Sequence, residues 1–335
     1  MAKKKTTQVK QYRILSLDGG GIRGLITAVW LDRLEQKLGS PLKNHFDLIA
    51  GTSTGSILAC GVAMGLNAGS IVDLYLNNAD TIFPGRASRL WSRTQRLLSQ
   101  GPSAPKYDGK GLEQVLQKIF KKNNKHVLFG ALGVKPVLVF SYDTLNRQSI
   151  VFKNTKQEHT KIPVYQICKA SSSAPAYFPA HVMRMGKADV PLIDGGVVAN
   201  NPTACAIAEA IRINKQKTKA VHCEVTDFIV ASFGTGEATR PISIDEAQEW
   251  GALEWAIPII DVLFDGSTNA VDYIARQVID DNKYFRFQCT LEKAYDDMDN
   301  AGQTNLNALI AVAQNYMATQ GGEQKLEQLA GLLAG

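Results

Sequence analysis

The chain has 335 residues, 45% of them apolar and 20% charged, with a formal net charge of +6 at neutral pH. That length and apolar content are enough to bury a large core and exclude a disordered chain. The mild basic excess suits an anionic membrane surface or a nucleotide but is too weak to indicate nucleic-acid binding.

Residues 1–11 read as a flexible basic N-terminus: "MAKKKTTQVK" has lysines but no apolar stretch after them, unlike a secretory signal. A short run of strand formers, "YRILSL" (12–17), follows and ends at "DGGGIRG". "GLITAVWLDRLEQKL" (24–38) then carries apolar residues at helical spacing, and Gly39 and Pro41 stop it. A second strand is predicted over "HFDLIA" (45–50), then the turn "GTSTG" and a mostly apolar helix "SILACGVAMGL" (56–66), predicted to be buried. Strand, helix, strand, helix is the opening of a parallel sheet with helices on its faces.

Further strands are predicted at 135–143, 147–154, 189–194 and 225–234, and helices at 164–172 and 202–214. The last hundred or so residues read as mainly helical, interrupted by the strand-like "KYFRFQC" (283–289). No repeat or low-complexity linker appears. The expectation is therefore one domain over 12–320, with its motifs in 12–241 and a mainly helical elaboration over 242–335. No stretch of about 18 or more apolar residues is present to span a membrane. Cys60, Cys168, Cys205, Cys223 and Cys289 are odd in number and form no CxxC pair. They read as free thiols, which places the protein in the cytoplasm, with peripheral contact at the inner membrane face.

"GGGIRG" satisfies GxGxxG at Gly19, Gly21 and Gly24, after a strand and before a helix, as a dinucleotide loop does. That reading also needs an acidic residue at the end of the second strand to hold a ribose. The strand ends in "IAGTSTG" instead, with Asp47 at its beginning. What it offers is Gly51-Thr52-Ser53-Thr54-Gly55, a GxSxG match in the strand–turn–helix setting of a nucleophile elbow. A strained serine at such a turn collides with its neighbours unless glycines stand two residues away on each side. A Ser/Thr-rich helix cap is the plainer alternative. Of the five histidines, His45, His126, His159, His181 and His222, only His222 follows an acid-bearing turn, and its polar setting reads as surface. The better candidate base is Asp194, delivered by an apolar strand and followed by Gly195 and Gly196, although Asp-Gly-Gly is also a common turn.

"DGGGIRG", "GTSTG" and "DGG", in that order, resemble the patatin-like phospholipases, and "PKYDGKGLEQVLQ", "YQICKASSSAPAYFPAH" and "IVASFGTGEATRP" extend the resemblance over about residues 12–241. It implies a three-layer α/β/α fold with a central, mostly parallel sheet, and a lipid acyl hydrolase of the phospholipase A type. In that family role Ser53 is the nucleophile and Asp194 the base. Gly19, Gly20 and Gly21 supply oxyanion-hole amides, with Arg23 as an electrostatic aid, although Arg23 could equally be a surface side chain. Gly24, Gly51, Gly55, Gly195 and Gly196 complete the motifs. Ser56 departs from the family, which commonly has glycine there, and narrows the space beside the nucleophile.

No cofactor or metal is expected, because no His, Cys or carboxylate cluster shows ligand spacing. The expected partners are a membrane phospholipid and a peripheral membrane surface, with association into a homo-oligomer left open and nucleic acid excluded. Arg86, Arg89, Arg93 and Arg96 around Trp91 in "GRASRLWSRTQRLL" (85–98), and Trp250 and Trp255 in "EWGALEWAIPIIDVLF" (249–264), suit an anionic lipid surface. A solvated basic helix and a core helix are the plainer readings. The tail "YDDMDNAGQTNLNALIAVAQNY" (295–316) resembles bacterial antiphage effectors of this family that cyclic dinucleotides switch on. The alternative from another class is a non-catalytic acyl-lipid or nucleotide-binding protein.

Overall fold

The computed structural model describes residues 11–85, 104–218, 222–256, 258–292 and 294–334. Tyr12–Leu17 (β1) starts the sheet, and its side chains alternate between the faces: Tyr12 and Ile14 join one apolar cluster, Leu15 and Leu17 the other. Gly24–Leu38 (α1) follows and ends at Gly39 in the left-handed region, the stop the sequence predicts. The second strand, Leu48–Thr52 (β2), starts later than its apolar run suggests. A 3-10 turn at Leu42–Asn44 leads into it, and the Asp47 carboxylate accepts the Arg13 N–H at 2.9 Å. Thr54–Met64 (α2) is buried over nearly its whole length, as its composition requires.

Two helices that the periodicity did not single out come next. Ala68–Ile82 (α3) is capped by Asn67, whose side chain accepts the Ser70 N–H, and Lys110–Ile119 (α4) packs against it. Val137–Asp143 (β3) and Gln148–Lys153 (β4) form a hairpin, and Val164–Ser171 (α5) follows. His181–Met185 (β5) and Ala188–Asp194 (β6) form a second hairpin, leading through Gly196–Ala199 (α6) into Thr203–Lys215 (α7). Phe228–Phe233 (β7), the long helix Pro258–Val278 (α8) and Tyr284–Phe287 (β8) come next; Gln303–Thr319 (α9) and Gly322–Ala334 (α10) close the chain.

The sheet has eight strands in the order β8-β7-β1-β2-β3-β6-β5, with β4 also on β3. From β8 to β3 the strands are parallel; the two hairpins add antiparallel pairings. One apolar cluster, on the face of α1, α2, α3 and α9, and a smaller one under α7 make this a three-layer α/β/α fold with a mostly parallel sheet. The strand expected inside the helical tail is β8, which joins the same sheet in parallel register with β7.

β3 carries the arrangement that matters for chemistry. β4 covers one side of it from Leu138 to Asp143. On the other side β2 runs parallel and stops with Thr52 opposite Phe140, while β6 runs antiparallel and stops with Asp194 opposite Ser141. Two strand ends from distant parts of the chain therefore meet head to head against consecutive residues of one strand.

Candidate active site

Ser53 is the first residue past β2, with φ 53° and ψ −125°, a conformation rare for any residue but glycine. Its flanking glycines are required sterically. A Cβ on Gly51 would lie 2.1 Å from the Gly55 carbonyl oxygen, and one on Gly55 would lie 2.2 Å from that of Leu17. The Ser53 N–H donates to Ser171 Oγ at 2.9 Å. Ser56 does not crowd the Ser53 side chain: its hydroxyl turns back to donate to the Ser53 carbonyl at 2.6 Å.

Ser53 Oγ donates to Asp194 Oδ2 at 2.7 Å, across 141 positions of sequence. The other carboxylate oxygen accepts the Gly196 N–H at 2.7 Å. Asp194 is fully buried, and desolvation raises its carboxyl from 3.8 to about 7, against the opposing effect of the two hydrogen bonds. Gly195 and Gly196 leave room for the backbone of Phe140 and the ring of Phe264, which would otherwise be struck by a Cβ at 2.3 and 2.4 Å.

The segment 171–173 holds both partners, and sequence reasoning gave it no role. Beyond the Ser171–Ser53 bond, the Ser171 carbonyl accepts from Gly195 N–H at 3.2 Å and the Ser173 carbonyl from Asp194 N–H at 3.0 Å. Ser172 is buried, and its hydroxyl has no partner among the described residues. The only sequence signal was the serine run itself, inside a stretch noted by resemblance.

Ser53, Asp194 and Ser172 stand in a narrow cavity of about 60 Å³ whose walls are apolar, among them Ile57, Leu74, Phe83, Leu112 and Phe178. Tyr75 also lines it and pairs its hydroxyl with Thr54 Oγ1. None of the five histidines lines this cavity. His222 bonds the Asn214 carbonyl and Glu224, at the surface side of α7.

The glycine loop borders the same cavity, but its amides are not equivalent. Gly19 N–H donates to the Asn200 carbonyl at 3.0 Å, which removes it from the expected donor set. Gly20 and Gly21 N–H donate to no group among the described residues. Arg23 is buried rather than on the surface and does not line the Ser53 cavity. It lines a second, polar cavity and reaches the Asp296 carbonyl at 3.4 Å. Gly24 lets the start of α1 approach Thr54 and Tyr75.

The basic segment 86–98 lies outside the described residues. Trp250 and Trp255 pack edge to face, with Leu253 between them exposed, so this stretch is only partly a core element. No cluster of His, Cys, Asp or Glu able to hold a metal occurs among the described residues, nor does a helix long and apolar enough to cross a membrane.

Residues 15–207 match the family model described as patatin-like phospholipase. The chain is 29% identical to patatin-like protein 1 of Arabidopsis thaliana over 346 residues, covering 92% of this chain and 81% of that protein. It is 30% identical to patatin-like protein 1 of Oryza sativa subsp. indica, covering 91% and 81%. The crystal structure of VipD from Legionella pneumophila superposes with a TM-score of 0.46 at 14% identity, covering 96% of this chain and 67% of that one. With more than half its length matched by one family model and plant relatives aligned over nine-tenths of it, this chain belongs to the patatin-like phospholipase family.

Proposed function

We propose that the protein hydrolyses carboxylic esters of lipids, with Ser53 as nucleophile and Asp194 as base. The observation that carries this is the 2.7 Å hydrogen bond from Ser53 Oγ to a buried carboxylate, at the wall of an apolar cavity. A free aspartate is too weak a base for a serine hydroxyl; one lifted to about 7 is matched to the task.

Asp194 takes the Ser53 proton as Oγ attacks the ester carbonyl, whose acyl chain lies along the apolar walls. Gly20 and Gly21 N–H meet the negative charge that develops on the carbonyl oxygen. The C–O bond to the alcohol breaks, and the departing alkoxide takes the proton back from Asp194. A water molecule, giving its proton to Asp194, then attacks the acyl-serine; Ser53 leaves with that proton and the free fatty acid is released. No step uses Arg23 or a histidine.

A fluorophosphonate probe tests this directly. It is expected to label wild type at Ser53 and to leave Ser53→Ala unmodified, and Ser53→Ala and Asp194→Asn are each expected to lose more than about a thousandfold in ester turnover. A Ser53→Ala variant that still turns over ester would end the assignment.

The resemblance of residues 295–316 to effectors switched on by cyclic dinucleotides points to an activator of that class. In the fold this segment packs a loop and α9 against α1 and the glycine loop, where the Met298 carbonyl accepts the Ile22 N–H at 2.8 Å. Turnover measured with and without added cyclic dinucleotides tests such an activator: a rise on addition supports it, and equal turnover in both removes it.

A further inference from the structure

The two glycine-loop amides without a partner among the described residues, those of Gly20 and Gly21, each belong to a peptide unit whose carbonyl is held. No peptide bond among the described residues is cis, and in a planar trans unit the C=O and the N–H point in opposite directions. An amide with no acceptor of its own is therefore aimed by whatever binds the carbonyl of the residue before it. For Gly21 that partner is backbone: the Gly20 carbonyl accepts the Arg23 backbone N–H at 3.2 Å, in the turn that leads into α1. For Gly20 it is a side chain. Thr235 Oγ1 donates to the Gly19 carbonyl at 2.8 Å.

Thr235 is the second residue past β7 and is 3% exposed. It fills the space where Gly20 would carry a side chain: a Cβ on Gly20 would lie 2.2 Å from Thr235 Oγ1 and 2.7 Å from its Cβ. The turn that carries it is itself pinned on three sides. Gly234 N–H donates to the Phe287 carbonyl at 2.8 Å, Thr27 Oγ1 donates to the Gly234 carbonyl at 2.7 Å, and Gly236 N–H donates to Gln288 Oε1 at 2.9 Å. The hydroxyl thus stands on a support built from β7, β8 and α1, and its β-branched side chain has few rotamers to escape into. Gly19 is also tied at its other end, where its N–H donates to the Asn200 carbonyl at 3.0 Å.

The two sides of the loop differ. Thr235 lines the polar cavity that Arg23 lines, and that cavity shares no wall residue with the one around Ser53. Gly19 reaches the Ser53 side: a Cβ on it would lie 3.2 Å from Ser53 Cβ. With its carbonyl turned to Thr235, the Gly19–Gly20 unit turns its N–H the opposite way. We propose that Thr235 is a positioning residue for ester hydrolysis, its hydroxyl locking the Gly19–Gly20 peptide so that the Gly20 N–H is directed at the oxygen that gains charge when Ser53 attacks. The target of that amide rests on the acyl-hydrolase function; the locking of the peptide does not. A donor set in advance needs no reorganisation when the charge appears. Thr235 meets the charge only through Gly20, and only in the transition state, so its loss falls on kcat and not on KM.

The test has a kinetic arm and a structural arm. On p-nitrophenyl octanoate, Thr235→Val is expected to lose at least about thirtyfold in kcat, part of the 10²–10³ that deleting an oxyanion donor costs, with KM within about threefold of wild type. Thr235→Ser keeps the hydroxyl and is expected to stay within about threefold in both. An octyl trifluoromethyl ketone, whose adduct with Ser53 carries an oxyanion, should bind Thr235→Val more weakly by the factor lost in kcat/KM. Thr235→Ala lacks the donor without pressing a methyl group against Gly20, and carries the same expectations if Thr235→Val does not fold. In the full chain labelled with 15N-glycine, the Gly20 amide resonance is expected to move in the variant without the hydroxyl and to return in Thr235→Ser. Wild-type kcat without the hydroxyl, a loss that Thr235→Ser shares, a loss confined to KM, or an unmoved Gly20 resonance would overturn the assignment. A wild-type chain with no ester turnover, in which the Gly20 resonance still responds as described, sinks the hydrolase function and leaves the locked peptide standing.

Discussion

In the proposed mechanism Asp194 couples the chemistry to pH. With its carboxyl raised to about 7 by burial, the base is half ionised near neutrality, and kcat/KM on a short-chain ester is expected to climb tenfold per unit below that point and level off above it. A profile flat from pH 5 to 9 would show that another group is the base. The same shift has a stability consequence of opposite sense. The folded state holds the proton more tightly than the unfolded chain, so Asp194 contributes most at pH values below about 4, and the contribution is lost as pH rises through about 7. Over that window wild type should lose up to about 1.4 kcal/mol per pH unit relative to Asp194→Asn. Thermal melts at pH 8 should then find the inactive variant more stable than wild type, with the gap closing toward pH 5.

At the scale of elements, the loop after α5 and the edge strand β8 both act on the site from outside it. Ser171→Ala deprives the buried Ser53 N–H of its acceptor at a position already strained, costing on the order of 1–3 kcal/mol. Ester turnover should fall more than global stability explains, because the strained serine turn is the first thing to relax; comparing kcat with denaturant midpoints separates the two. β8 brings Arg286 under the glycine loop, where it donates to Asp18 Oδ2 at 2.6 Å and Ser232 Oγ at 2.9 Å. Desolvation outweighs this pairing enough to lift Asp18 to about 6. Arg286→Met is therefore expected to destabilise by about 3–5 kcal/mol by stranding a buried carboxylate, and adding Asp18→Asn should recover a large part of it. Urea titration of both variants measures the difference.

For the whole molecule, the motifs and the frame that holds them are not the same stretch of chain. α9 and α10 bury Leu306, Leu309, Tyr316, Leu326, Leu329 and Leu333, and Trp30 on α1 donates to the Ala313 carbonyl at 3.0 Å. At about 1.5–3 kcal/mol per buried large apolar side chain, their loss is comparable to the whole 5–15 kcal/mol by which folded domains are stable. A chain ending at residue 302 is expected to show no cooperative unfolding transition by circular dichroism, although every motif is present in it. Cooperative melting of that fragment would show that the C-terminal helices are dispensable.

The parts of the site legible in the sequence are those set by contacts within a few residues. Gly51 and Gly55 flank Ser53 in one turn, so the elbow leaves a mark in spacing and in its strand–turn–helix setting, and the apolar run ending at Asp194 announces a strand delivering a carboxylate. α1 and its glycine stop were readable for the same reason. What packing decided involves partners far apart in the chain. Whether Gly19 keeps a free amide depends on the Asn200 carbonyl, and whether Arg23 faces solvent or a cavity depends on α8 and the 296–298 loop. That Ser53 and Asp194 touch at all depends on β2 and β6 ending against neighbouring residues of β3. Local sterics leave a mark in a short window of sequence; strand register and the meeting of loops are set by long-range contacts, which leave none.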